Sequence, residues 1–297
     1  MPSTLGTVQL LFGALSLVMG GLGLSLELED FRRIGRERRA VAVGMVLQFV
    51  MMPALAFMVA VTFHVSAPCA VGLMLLAAAP GSVSSSIYSR VFGGNVALNM
   101  SLTGINTLLS MVTLPIICSW AQAFFVEVDG PAASPVDKLA EAMVILIAPV
   151  VVGMIIRVKA PRFAAMADKP MRVVSLLILV AFSAGAIIKE WTSLRTGFSE
   201  VGFAVVAFNV MTLGIGFGMA RTFCNRESAT AIAFELGVRS AVLSIYVAMT
   251  TLQDSRIALP AAVYSITMVV LALSFGSLMR RLRKPVAQRD LGVGVSA

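Results

Sequence analysis

Nine apolar stretches, most of them about 20 residues long, recur along this chain near 5–27, 41–63, 69–93, 96–120, 139–157, 172–189, 200–219, 228–251 and 259–279. A helix of that length crosses the hydrocarbon core of a bilayer. Only 13% of the 297 residues are charged and the mean hydropathy is +0.93. A soluble chain usually carries about 25% charged residues, and one this apolar would leave large greasy patches in water. The pattern therefore predicts an all-α polytopic membrane protein with nine transmembrane helices. The first stretch has no basic leader and a long apolar run. It is followed at once by Glu29, Asp30 and a basic loop, so it reads as a mature helix and not a signal peptide.

The net charge of +8 does not point to nucleic acid, because the basic residues lie in short runs between apolar stretches. Placed on alternate loops, 18 of them fall on one side of a nine-helix chain and 4 on the other, with Arg239 left inside a helix. The basic side is the cytoplasmic one. This puts the N-terminus outside and the C-terminus in the cytoplasm, in a cell inner (plasma) membrane. No soluble domain is expected. Cys69, Cys118 and Cys224 have no metal-ligand spacing and read as small apolar residues, and His64 receives no role.

Two helices are interrupted. The third stretch contains Pro80-Gly81 followed by Ser82, Ser84, Ser85 and Ser86. Pro80 removes a helix hydrogen bond and Gly81 loosens the backbone. A kinked helix whose serines bond back along their own turn is one reading. Unwound backbone lining a polar cavity is the other. The eighth stretch holds the only ionisable residues deep in a predicted span, Glu235 and Arg239, with Gly237 between them. Each costs about 2.5–3.5 kcal/mol at the bilayer centre on insertion scales, so such residues mark function by default. A self-contained i, i+4 ion pair is the plain alternative.

The breaks fall at matching places. Helices one to four correspond to six to nine, in opposite orientation, which is an inverted-repeat arrangement. The expected organisation is a first repeat at 1–120 (four helices, broken near 80–86), a connecting loop at 121–138, a second repeat at 139–285 (five helices, broken near 235–240) and a cytoplasmic tail at 286–297. The loop contains Asp129-Gly130-Pro131 and Ser134-Pro135, a turn between halves.

At Gly20–Phe31, Gln48–Phe57, Pro80–Leu109 and Phe234–Ser240 the sequence resembles the bile acid:sodium symporter family and its bacterial homologues. The resemblance implies a core domain and a panel domain, with two broken helices crossing in the core. Bacterial members often have ten helices, and this chain looks as though it lacks the first. The resemblance also implies a first sodium site at Ser85, Ser86, Asn99, Thr103 and Glu235. There Ser86 stands where the family has asparagine, and Asn99 where it has serine. The implied second site takes Gln48, Glu235, the carbonyls of Leu236 and Val238, and the position of Arg239. The family normally has glutamine then asparagine where this chain has Arg239 and Ser240, and a guanidinium and a sodium ion repel at that range.

The expectation is a secondary transporter, not an enzyme, moving an organic anion (bile-acid-like, or a small carboxylate or sulfonate) by alternating access with altered or reduced sodium coupling. Free N–H groups at the helix breaks would attract the anion, with Ser82, Val83, Ser84, Arg239 and Ser240 as substrate-binding candidates. Alternatives are an exporter of oxyanions or small acids of related fold, or a sodium-independent carrier in which Arg239 binds the substrate. No cofactor is expected beyond sodium as coupling ion. The partners are a small organic anion, sodium and the lipid bilayer, with no nucleic acid and the oligomeric state left open.

Overall fold

The computed structural model describes residues 37–82, 84–126, 148–164 and 191–282, together with scattered positions between 13 and 35 and between 166 and 174. The described residues are helical and contain no strand beyond one isolated bridge. The expected stretches near 5–27, 139–157 and 172–189, the connecting loop and the tail lie wholly or partly outside the described residues.

The first described span, Arg38–Thr62, consists of α1 (Arg38–Val46), a π-helical turn (Leu47–Met51) and α2 (Met52–Thr62). Pro53 opens α2 and has no N–H to offer the carbonyl one turn back, and the backbone widens there into the π-turn that carries Gln48. Next come α3 (Ala67–Ala78) and α4 (Ser84–Val91), the two halves of one interrupted helix. α5 (Val96–Phe125) bends by 58° between Val96–Ser110 and Val112–Phe125. Pro115 lies inside it, and its ring displaces the carbonyl four residues earlier. α6 (Trp191–Phe223) leads into α7 (Arg226–Gly237) and α8 (Ala241–Tyr246), the second interrupted helix, which ends in a π-turn (Val247–Thr251). α9 (Ser255–Arg281) closes the described part.

Among the described residues three helices are long and apolar enough to cross a membrane, or four if the bent α5 counts as one span. The chain is thus a helical membrane protein. The sequence-based span near 200–219 begins earlier, at Trp191, because helix geometry continues through polar residues that hydropathy places in a loop.

Short polar side chains start the helices. Asn95 accepts from Leu98 N at the head of α5, Asn225 from Ser228 N at the head of α7, and Asp254 from Arg256 N at the head of α9. Each satisfies an amide that has no partner within its helix. At the other end of α9, Arg226 donates to the carbonyls of Met279 and Leu282.

The core helices face no water, so their association relies on close packing. α3 is buried almost throughout and lies between α5 and α9. At Gly72 the contact is backbone to backbone: a Cβ there would sit 2.1 Å from the Ile257 carbonyl oxygen. We expect Gly72→Ala to push α3 off α9 and to destabilise the protein by about 1–3 kcal/mol, as overpacking does elsewhere. The melting temperature of the detergent-purified protein measures this, and an unchanged value would show that the contact is loose.

Candidate functional site

The two interrupted helices meet at their breaks. Ala79 leaves α3 with an extended backbone (φ −61°, ψ 149°), so Pro80-Gly81 is a true interruption and not a kink. α7 ends at Gly237, and Val238 to Ser240 are likewise unwound. The segments pair antiparallel, with Gly81 bridged to Arg239. Ser82 N donates to the Val238 carbonyl at 2.8 Å, and Ser240 N donates to the Pro80 carbonyl at 3.1 Å. Each break satisfies the other's backbone, as a water-poor site demands. Tyr264 of α9 adds a hydrogen bond from its hydroxyl to the Gly237 carbonyl, at 2.8 Å.

Glu235, in the last turn of α7, is 1% exposed. It reaches past the crossing towards the start of α4. Its Oε2 accepts from Thr103 Oγ1 at 2.6 Å and from Ser85 Oγ at 3.0 Å, and its Oε1 accepts from Asn106 Nδ2 at 3.2 Å. Ser85 Oγ also lies 2.8 Å from Asn99 Oδ1, and since it has one proton it serves one of these acceptors at a time. Asn99 is anchored through Nδ2 to the Ala231 carbonyl at 3.0 Å. Ser85, Asn99, Thr103 and Glu235 of the implied first ion site therefore lie together, and Ser86 is buried on the same short helix. Asn106 was not legible as a member of this group. Its spacing from Asn99 and Thr103 (i, i+4, i+7) is the signal that places it on their face of α5.

Only a glycine lets this carboxylate lie so close to the opposing backbone. A Cβ on Gly81 would stand 2.3–2.5 Å from the carboxyl carbon and both oxygens of Glu235.

Arg239 turns the other way. It is fully buried and donates to no atom of Glu235. Because the helix ends at Gly237, the i, i+4 geometry of a helical ion pair does not exist here. The guanidinium caps the end of α3 instead. Nη1 donates to Gln48 Oε1 at 2.5 Å, Nε to the Leu76 carbonyl at 3.3 Å, and Nη2 to the carbonyls of Ala77 and Ala79. Four of its five N–H groups are engaged. Hydrogen bonds to charged groups contribute about 1.5–3 kcal/mol each, so four of them exceed the insertion cost of about 2.5–3.5 kcal/mol. The negative end of the α3 dipole adds to this. Gln48 holds its own position by donating from Nε2 to Ala77 O at 3.4 Å.

Of the remaining residues named from the sequence, Leu236 and Val238 are buried, and the Val238 carbonyl is taken by Ser82 N. Ser82, Ser84 and Ser240 are partly exposed at the crossing. Ser84 donates to Ser82 Oγ at 2.9 Å. Val83 lies outside the described residues. Five of the amides expected to be free at the breaks are not. The amides of Ser82, Ser84, Ser85, Ser240 and Ala241 all have acceptors, because the two unwound segments and the local serine turn use them. The partly exposed residues at the crossing, Ser82, Ser84 and Ser240, carry hydroxyl groups.

Glu235→Gln keeps the shape and removes the charge. We expect loss of transport with a normal size-exclusion profile, whereas wild-type uptake by this variant would move the functional centre elsewhere. Gly81→Ala should produce the same loss by displacing the carboxylate.

Comparison with known proteins places these features in a family. The model of the sodium bile acid symporter family matches residues 13–196. A probable sodium/metabolite cotransporter of chloroplasts, BASS2 of Oryza sativa subsp. japonica, is 26% identical over 93% of this chain and 65% of its own length. An uncharacterized sodium-dependent transporter of Bacillus subtilis, YocS, is 27% identical over 85% of this chain and 77% of its own. The ileal sodium/bile acid cotransporter of Cricetulus griseus is 28% identical over 70% and 59%. The chain spans about two thirds of the length of its plant relatives and about half to three fifths of the mammalian ones. It belongs to the sodium bile acid symporter family.

Proposed function

We propose that this protein is a secondary transporter that moves an organic anion by alternating access, coupled to at most one sodium ion. The observation that carries the reading is the pair of opposite charges at the helix crossing. Glu235 sits among hydroxyl and amide groups that can also ligate a cation, and Arg239 occupies a cage of neutral oxygens. Gln48 Oε1 and the carbonyls of Leu76, Ala77 and Ala79 form the kind of oxygen set that a hard cation takes. The guanidinium is always charged and is tethered, so it acts as a fixed ion in place of one of the two that the family resemblance implies.

Direct binding of the substrate by Arg239 fits less well, because the group is fully buried and four of its donors are committed. The partly exposed Ser82, Ser84 and Ser240, beside the N-terminal end of α4, are the better candidates for the anion. The substrate class, a bile-acid-like molecule or a small carboxylate or sulfonate, rests on the relatives. The distribution of basic residues supports an outside N-terminus and a cytoplasmic C-terminus in the plasma membrane. The matching places of the two breaks support paired repeats.

Uptake of labelled organic anions into proteoliposomes, with inward sodium or potassium gradients, tests the reading. Saturable uptake with a sodium Hill coefficient of about one is expected. A coefficient near two removes the fixed-ion idea, and no uptake across the panel removes the anion. Arg239→Gln should steepen the sodium dependence, whereas Arg239→Lys should preserve the shallow one. If Arg239→Gln instead weakens anion binding at every sodium concentration, Arg239 recognises the substrate.

A further inference from the structure

The face of α5 opposite Glu235 carries one polar atom that the protein leaves without a partner. Asn106 is 1% exposed, and its Nδ2 donates to Glu235 Oε1 at 3.2 Å. Its Oδ1 is buried and accepts from nothing. Turning the amide over does not help, because the oxygen would then face a carboxylate oxygen, acceptor against acceptor. A buried polar atom in this condition loses its hydration without replacement. Such an orphan in a well-packed core calls for an explanation, and an acceptor that receives an ion is one.

The neighbours define which ion. Glu235 supplies one negative charge, while Ser85, Thr103 and Asn99 supply neutral oxygens within 3.0 Å of the carboxylate or of one another. A monovalent cation makes this group neutral. A divalent one would leave an added positive charge in the same buried core as Arg239, where low dielectric makes repulsion strong. Hydroxyls that now donate to Glu235 can rotate, keep their protons on other acceptors and turn lone pairs to a metal. Asn106 Oδ1 has no such competing duty, so it is the oxygen most ready to receive a cation.

We propose that Asn106 is a direct ligand, through Oδ1, of an alkali cation held by Glu235, Ser85 and Thr103, and that it sets the preference of the site for sodium over the smaller lithium. The inference deepens the single-sodium reading above and rests on it. A small cation is satisfied by fewer oxygens, so removing one neutral ligand harms sodium more than lithium. If Asn106 only steadied the Glu235 carboxylate, its loss would weaken both ions alike.

Purified protein titrated with sodium chloride and with lithium chloride, at constant ionic strength in choline chloride, gives both affinities from thermal stabilisation. Asn106→Leu fills a similar volume and removes the amide. It should raise the sodium Kd tenfold or more and lower the sodium-to-lithium preference at least threefold. Asn106→Ser returns a neutral oxygen to the position and should recover part of the sodium affinity, which also shows that the site folds with a substitution there. Equal weakening of both ions by Asn106→Leu, or unchanged sodium affinity, overturns the ligand role while leaving the single-sodium reading in place. No sodium response in the parent protein overturns both.

Discussion

Interrupting a helix inside a bilayer strands amides and carbonyls where lipid offers no hydrogen bond, and each stranded group costs several kcal/mol. Here two interruptions solve each other's problem. Residues 80–82 and 238–240 run antiparallel and exchange a backbone hydrogen bond on either side of the Gly81–Arg239 bridge. The candidate site residues are arranged about that short pairing. It fixes where α3 ends, where α4 begins and which way the side chains of α7 and α8 project.

Charge follows the helix ends. Glu235 approaches the N-terminal end of α4, where the dipole is positive, and Arg239 closes the C-terminal end of α3, where it is negative. The two ionised groups are four residues apart in sequence yet serve opposite sides of one crossing chain. Each is neutralised locally by dipoles and polar side chains, so neither consumes the other. That separation leaves Glu235 without the counter-ion that an internal ion pair would supply.

Much of this was legible in the sequence. Pro80-Gly81 predicts a break because proline lacks an N–H, and the structure has one. Glu235 and Arg239 stood out because ionisable groups are costly at depth, and both are buried at the crossing. The start of α6 was not legible, since hydropathy stops where polar residues begin although the helix continues. Nor was the divergence of Glu235 from Arg239, because an unbroken helix would have brought them together. The use of the break amides was also hidden: pairing between segments 150 residues apart leaves no local signal. Asn106 was missed because an asparagine in a largely apolar helix looks like many others until its i, i+4, i+7 relation to Asn99 and Thr103 is set against a carboxylate.

The cage around Arg239 has a consequence for how the chain is made. All four acceptors, Gln48 and the carbonyls of Leu76, Ala77 and Ala79, belong to the N-terminal third of the sequence, and the arginine belongs to the C-terminal third. Synthesis proceeds from the N-terminus, so the acceptors emerge from the ribosome more than 150 residues ahead of the guanidinium. The positive charge thus enters a bilayer in which its receptor is already in place, while the half-made protein must meanwhile hold an open ring of carbonyls. Biogenesis is asymmetric: the early half can wait for the late one, but the late half has nowhere to put its charge without the early one.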